Sequence, residues 1–336
     1  MSGFTVKRDS GLFIGDVDVA PASGTIEITE NGTDIDVARY AKANVNVPTL
    51  TTKFKGATTP PYQIFYCEPA SDVLYDLEIP LDYEYTQLGY MCCFANSNVK
   101  TVTIGDNITS IENGLSQSEY GENNAVWSSA FGYCKNLTDV YGGENITYVG
   151  NLSFVGCNHL TNMLSLFNSG NLKTVGECAF YGCRLLNGTI KFNALRTLGL
   201  SAFERTQLNN IYILGTDTIS GDRANIRQKA FDNNLRGHYD KIIINTNNGS
   251  PLNIESYVFS GDNDSNVSVL AILSNDITFS TNTFYNFYSN IIDFYTHLNE
   301  SDFTTWLSNL PDTRLATAIT NATNIHYEYS GDGSEL

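Results

Sequence analysis

The 336-residue chain is 42% hydrophobic, and no stretch approaches the roughly 18 consecutive apolar residues that a membrane span requires. Its 36 acidic residues against 19 basic ones leave a formal net charge of -17, which opposes nucleic-acid phosphates and anionic lipid as partners. Charged residues make up only 16% while Asn, Ser, Thr and Gly abound, the composition of a soluble, turn-rich β protein.

The opening MSGFTVKRDSGLFIGDVDVA lacks the apolar core of roughly 7 to 15 residues that marks a secretory signal, so folding in a cytoplasm is expected. Seven Cys at irregular spacing point to reduced, buried thiols rather than a disulfide framework. In SGTIEITENGTDIDVARYAKANVNVP, alternating Ile26 and Ile28 and then Ile35 and Val37 flank Asn31-Gly32, which predicts a hairpin in a small separate β-module. PTLTTKFKGATTPP (48–61), rich in Thr, Pro and Gly, predicts a linker, with a boundary near residue 58. Residues 62–90 are aromatic-rich, and 59–91 are expected to form an N-terminal cap over the first exposed repeat edge.

From there the chain repeats itself. SSAFGYCKNLTDV (128–140) is echoed by LSFVGCNHLTNM (152–163), CAFYGCRLLNGTI (178–190) and SAFERTQLNNIYI (201–213), with fainter copies on both sides. The anchors are Phe94, Phe131, Phe154, Phe180, Phe203, Phe231, Phe259 and Phe284, at spacings of 37, 23, 26, 23, 28, 28 and 25 residues. Between anchors run two short apolar stretches, such as Val99, Val102, Ile104 and then Ile108, Ile111. A unit this small cannot bury its own apolar face, so neighbours must stack into a continuous core with Phe in the same interior slot of each turn.

Residues 112–127 lengthen the first interval, and insertions of this kind map to loops on one face of a solenoid. Tyr120 and Trp127 in that insertion are the candidate contact surface, although packing of Trp127 beneath its own loop is the plainer account. At the far end, SDFTTWLSNL predicts a short helix with Ser301 as N-cap, and residues 325–329 a last strand, so 297–336 forms a C-terminal cap.

The pattern AF..C..L..V resembles the BspA-like branch of leucine-rich repeats over residues 92–296. The resemblance is carried by Phe131 with Cys134, Phe154 with Cys157 and Phe180 with Cys183, and by Leu137, Leu160 and Leu186 three positions further on. Later units place Thr206, Asn234 and Asp262 where that Cys stands. What the resemblance implies is a mainly β, right-handed, leucine-rich-repeat-like solenoid of about seven or eight irregular units, non-enzymatic and adhesive. The segment around Asn31 resembles a short β-module recurrent in structural proteins of tailed phages, with Asp34 where that module often has Tyr.

Residues for chemistry are sparse. Neither phosphate-cradling, dinucleotide nor zinc-protease motifs occur, His159, His238, His297 and His326 lack metal-ligand spacing, and no cofactor or metal is expected. The Cys134, Cys157, Cys183 series fits packing of a small buried residue better than a metal site. GDNDSN (261–266) fits an Asx-rich turn better than a calcium loop, because Leu273 stands where the closing Glu belongs.

The leading expectation is a virion structural or receptor-binding protein, made in the host cytoplasm. Its N-terminal module would attach to other virion proteins, and its solenoid would meet a host surface protein or glycan. Fibre proteins of this kind are usually homo-oligomers. The rivals are a bacterial cell-surface adhesin, which would need export and anchoring signals, and a polysaccharide depolymerase, for which no acidic pair stands apart from the many surface acids.

Overall fold

The computed structural model describes residues 99–113, 130–217, 222–232, 237–246, 251–260, 266–285 and 291–336, and before residue 99 the backbone of six strand segments. The chain forms two compact units, Met1–Leu166 with Gly182–Leu185, and Phe167–Tyr181 with Leu186–Leu336.

In the first unit β1 (Gly3–Arg8) pairs antiparallel with β2 (Gly11–Phe13) and with β3 (Gly24–Asn31). From β3 onward every pairing is parallel, through β4 (Thr49–Lys55), β5 (Tyr75–Ile79), β7 (Val99–Ile104) and β9 (Asp139–Gly142). A second parallel ladder joins the two-residue strands β6 (Gln87–Leu88), β8 (Ser110–Ile111) and β10 (Tyr148–Val149). Each coil therefore gives one longer and one shorter strand, the pair of apolar stretches expected from Val99 to Ile111.

Two local expectations are corrected. Both edges of β3 are taken at Ile28, which pairs with Val6 of β1 and Phe54 of β4, and Ile26 pairs with Thr52 of β4, so the expected hairpin partner across Asn31-Gly32 has no free edge at Ile28; Ile35 and Val37 lie outside the described residues. The strand partner is parallel, and parallel neighbours need a crossover rather than a tight turn. Residues 49–55, read as linker, are strand β4, since TLTTKFK is rich in β-branched Thr and the paired prolines come only after it.

The second unit repeats the plan, and among its described residues every strand pairing is parallel. Its long strands are β12 (Asn187–Phe192), β14 (Gln207–Ile213), β16 (His238–Ile244), β18 (Asn266–Ile272), β20 (Ile291–Thr296) and β21 (Asn324–His326), paired in that order. Its short strands are β11 (Thr174–Val175), β13 (Thr197–Leu198), β15 (Ala224–Ile226), β17 (Leu252–Ile254) and β19 (Ile277–Phe279). Ile190, Ile211, Ile242, Leu270 and Phe294 from the long strands, and Val175, Leu198, Ile226, Ile254 and Phe279 from the short ones, fill the interior.

The third edge of each coil is the Phe turn. Phe131 stacks on Phe154 in the first unit, with ring centroids 4.9 Å apart. In the second unit Phe180, Phe203, Phe231, Phe259 and Phe284 stack in sequence at 5.0, 5.3, 5.5 and 4.9 Å. The backbone follows the rings: the Phe180 N–H donates to Ala202 O, Phe203 to Ala230, Phe231 to Val258 and Phe259 to Thr283, always the residue just before the next Phe. Two residues ahead of the anchors, Leu152, Cys178, Ser201, Lys229, Tyr257 and Asn282 all have φ between 52° and 63°. A non-Gly residue held there costs roughly 1 to 3 kcal/mol, and the stacked rings and cross-coil bonds over-determine the turn enough to offset it. Phe94 lies outside the described residues.

The Cys series belongs to the same turn. In the first unit Cys134, Cys157 and Cys183 are fully buried; the Cys157 thiol donates to Phe131 O at 2.9 Å and that of Cys183 to Phe154 O at 3.1 Å. Burial pushes the Cys157 thiol well above its ordinary range, which keeps it in the protonated form that donates. In the second unit Thr206 stands at the equivalent place and its hydroxyl donates to Phe203 O at 2.9 Å. The position thus wants a small side chain with one donor. Asn234 and Asp262 lie outside the described residues.

After β20 come the helices that close the unit. A five-residue helix, α1 (Leu164–Asn168), occurs earlier in the chain; α2 (Glu300–Ser308) and α3 (Thr313–Thr320) lie here. The N-cap of α2 is Asn299, whose side chain accepts from Asp302 N, and not Ser301, which falls inside the first turn. Asp312 caps α3 by accepting from the N–H groups of Arg314 and Leu315, both at 3.1 Å. Its other carboxylate oxygen accepts from Phe284 N at 3.0 Å. This buried side chain supplies the acceptor that a following coil gives to the other anchors.

Candidate contact surface

Tyr120 and Trp127 lie outside the described residues. Within the second unit the repeat presents two outer faces of opposite character.

On the short-strand face, Thr174, Thr197, Asn225, Asn253 and Thr278 stand in register, one from each of five parallel strands. They alternate with the buried positions of those strands and remain half-exposed or exposed. Asn253 Nδ2 donates to Asn225 Oδ1 at 3.3 Å, Asn225 Nδ2 to Arg223 O at 2.8 Å, and Arg223 Nη1 to Thr278 Oγ1 at 3.0 Å. Ion pairs rim the column. Lys173 and Arg196 both reach Asp217 at 2.8 Å on one side, and on the other Arg227 reaches Glu177 at 3.3 Å and Glu255 at 3.8 Å. The hydrogen bond from Lys173, then that from Arg196, holds the Asp217 carboxyl below its ordinary value. Such exposed pairs are screened by water, contribute little to stability and mainly set the direction of their side chains. The face offers donors and acceptors at the spacing of neighbouring strands, about 4.8 Å.

On the long-strand face, the register column is Lys191, Tyr212, Ile243, Ala271, Tyr295 and His326. Its neighbours on either side point into the core, so this column points out, yet Tyr212, Ile243 and Ala271 are only 7%, 0% and 0% exposed. The cover is the segment that follows β21. Tyr329 and Leu336 pack onto a strip formed by Tyr212, Ile243, Ala271 and Leu273, with Leu214, Val269 and Tyr295 at its margin.

Polar contacts fasten this segment to the sheet. Asn245 Nδ2 donates to Asp332 O at 3.0 Å, and the Lys241 ammonium donates to the carbonyl of Leu336. Gly333, at φ +89°, lies directly against the sheet; a Cβ there would overlap Ile243 Cγ2 and press on Leu273 Cδ1 at 3.1 Å. The acidic groups bond within the segment, Asp332 accepting from Ser334 N and Glu335 from the Tyr329 hydroxyl. Burial, and then the bond to Glu335, push that hydroxyl up to about 12. Where the segment turns back, Tyr329 N donates to Thr296 O at 3.0 Å, and the Tyr295 ring stacks on His326 at 4.2 Å and meets Tyr329 edge-on at 5.3 Å.

The family model described as "BspA type Leucine rich repeat region" matches residues 25–119 and 122–236 in six copies. That is more than half of the chain. The chain belongs to the BspA-type leucine-rich repeat family. A comparison with curated proteins by sequence returned no match. Among solved structures, a leucine-rich repeat protein from Bacteroides ovatus ATCC 8483 is similar over 87% of this chain and 70% of its own, with 13% identity and a TM-score of 0.37.

The BspA-type match opens inside β3, well before the residue-92 start read from the Phe pattern, and ends at residue 236. Phe259 and Phe284 lie beyond it but have the same φ signature and ring stacking as the matched coils, so the coil plan continues past the match. The covered long-strand face had a signal in the sequence. KIIIN (241–245) and NVSVLAIL (266–273) are nearly unbroken apolar runs rather than alternating ones, the mark of strands buried on both faces. Among the described residues no helix is long and apolar enough to cross a membrane.

Proposed function

We propose that this chain is a non-catalytic binding scaffold, and that it serves on a tailed-phage particle as a fibre, decoration or tail-associated protein. The scaffold reading is carried by the division of positions within a coil. The recurring Phe, Cys or Thr, and Leu are turned inward, while the outward positions vary and present amides, hydroxyls and paired charges suited to a protein or glycan surface. The particle reading rests on ITENGTDIDVARYAKANVNVP, the segment that resembles a β-module of phage structural proteins. In this reading that segment attaches to other virion proteins and the coils meet the host.

Membership of the BspA-type family favours a second reading, a bacterial cell-surface adhesin. One experiment separates the two. Peptides of this chain are expected in gradient-purified particles and absent from the peptides released when protease shaves intact cells. The reverse distribution overturns the particle reading in favour of the adhesin. Cleavage of host capsule polysaccharide by the purified chain would overturn the non-catalytic reading of both.

A further inference from the structure

We infer that Cys134, Cys157 and Cys183 of the first unit form a disulfide-competent ladder. When the chain folds in an oxidising medium, Cys157 bonds to one of its two neighbours as a cross-coil staple, and the closed fold then seals whichever state was reached. The inference holds whether a particle or a cell carries the chain.

Hydrogen bonding alone does not call for sulfur at this position. The Thr206 hydroxyl fills the equivalent place and also donates to an anchor carbonyl, yet three consecutive coils carry free Cys. What sulfur adds is the capacity to bond covalently to its own copy in the next coil. Phe131 N donates to Ser153 O and Tyr133 N to Val155 O, so the turns pair as parallel neighbours do, at a spacing of about 4.8 Å. A disulfide joins Cα atoms roughly 4.4 to 6.8 Å apart. The Cys157 thiol lies within hydrogen-bonding reach of the Cys134 thiol on one side and the Cys183 thiol on the other. Cys134 and Cys183 are two coils apart, about 9.6 Å at that spacing, and are too distant to be bridged without backbone movement. Every ladder disulfide therefore includes Cys157.

The surroundings accept the bond. If the Cys157 thiol gives up Phe131 O, that oxygen still accepts from Cys134 N at 3.2 Å. Phe154 O, the acceptor of the Cys183 thiol, likewise keeps Cys157 N at 3.2 Å.

Burial decides when the bond forms. All three thiols are fully buried, so a small oxidant meets them only before the coils close. The apolar surroundings also disfavour the thiolate that must attack. The oxidant is a small organic disulfide. One Cys thiolate attacks it and releases one small thiol; the second Cys then displaces the other small thiol from the mixed disulfide. In all, the two protein thiols lose two protons and two electrons, the Sγ–Sγ bond forms, and the oxidant leaves as two thiols.

The test unfolds the full chain under reducing conditions and refolds it either with dithiothreitol or in a mixture of reduced and oxidised glutathione. Peptide mapping without reduction then locates the bonds in the soluble, folded fraction. Refolding with glutathione is expected to link Cys157 to Cys134 or to Cys183 and to raise the urea midpoint above that of the reduced chain. The chain folded in dithiothreitol and then moved to the same mixture is expected to form the link at least 10-fold more slowly. Cys157→Thr, which keeps a donor of the kind found at Thr206, is expected to fold in both media with no ladder disulfide and no gain in midpoint. If that variant does not fold, the map of the parent still decides. A folded parent whose three ladder thiols emerge free or capped by glutathione overturns the inference, as does a Cys134–Cys183 bond. Equal rates of linking in the folded and refolding chains overturn the sealing.

Discussion

The two outer faces of the second unit are made by the same coils, with the same parallel pairing and a common interior, yet one is polar and half-exposed while the other is apolar and covered. Thr174, Thr197, Asn225, Asn253 and Thr278 keep the short-strand face polar, with Asn253 bonded to Asn225, and Asn225 and Thr278 bonded to Arg223. Tyr212, Ile243 and Ala271, at outward positions of the long strands, become a second core once residues 329–336 lie over them. Backbone architecture thus leaves the use of a face open. The outward residue of each strand decides it, and apolar choices on consecutive strands create a strip that needs an occupant.

The largest expected effect removes the foundation that both faces share. Phe180→Ala takes away a fully buried ring stacked on Phe203 and should cost about 3 to 5 kcal/mol in urea unfolding, loosening both faces together. Next, Asp312→Ala removes the N-cap of α3 and leaves Phe284 N without its acceptor, for about 2 to 4 kcal/mol by the same measurement.

The direct contrast comes third. Ile243→Ala should cost about 2 to 3 kcal/mol, whereas Asn225→Ala on the other face should stay within about 0.5 kcal/mol. Equal costs for the two would dissolve the distinction between the faces.

The smallest effect is a pH dependence confined to the polar face. Because Lys173 and Arg196 lower the folded pKa of Asp217, its contribution is complete above the unfolded aspartate value, about 3.9, and is lost as pH falls through the lower folded value. The Tm difference between the parent and Asp217→Asn should therefore stand at its full size above the unfolded aspartate value and shrink as pH falls below it, and high salt should shrink it at every pH.

Legibility in the sequence followed the range of the interactions. The Phe anchors could be read because a slot that stacks on its own copies demands the same residue at near-regular spacing. The Cys positions could be read as packing, and Thr206 explains why Cys is replaceable, since a hydroxyl can donate to the anchor carbonyl as a thiol does. Asn31-Gly32 misled because a local turn signal says nothing about which strand arrives at each edge, and β1 and β4 took both edges of β3. Ser301 misled by two residues, as Asn299 was equally able to cap and the helix began earlier.

What the sequence by itself determined is the coil, its inward ladder and its family, because those depend on residues repeated at intervals of about 23 to 28 that need only meet their own copies. Tertiary structure alone decided the closing contacts. Asp312 meets Phe284 across 28 residues, and Asp332 and Leu336 meet Asn245 and Lys241 across 87 and 95. These are single encounters with no periodic echo, so nothing in the local pattern announces them. They exist because Asp312 gives Phe284 N the acceptor that the next coil gives the other anchors, and because an apolar strip facing water gains about 25 cal/mol for each Å² that a returning segment covers.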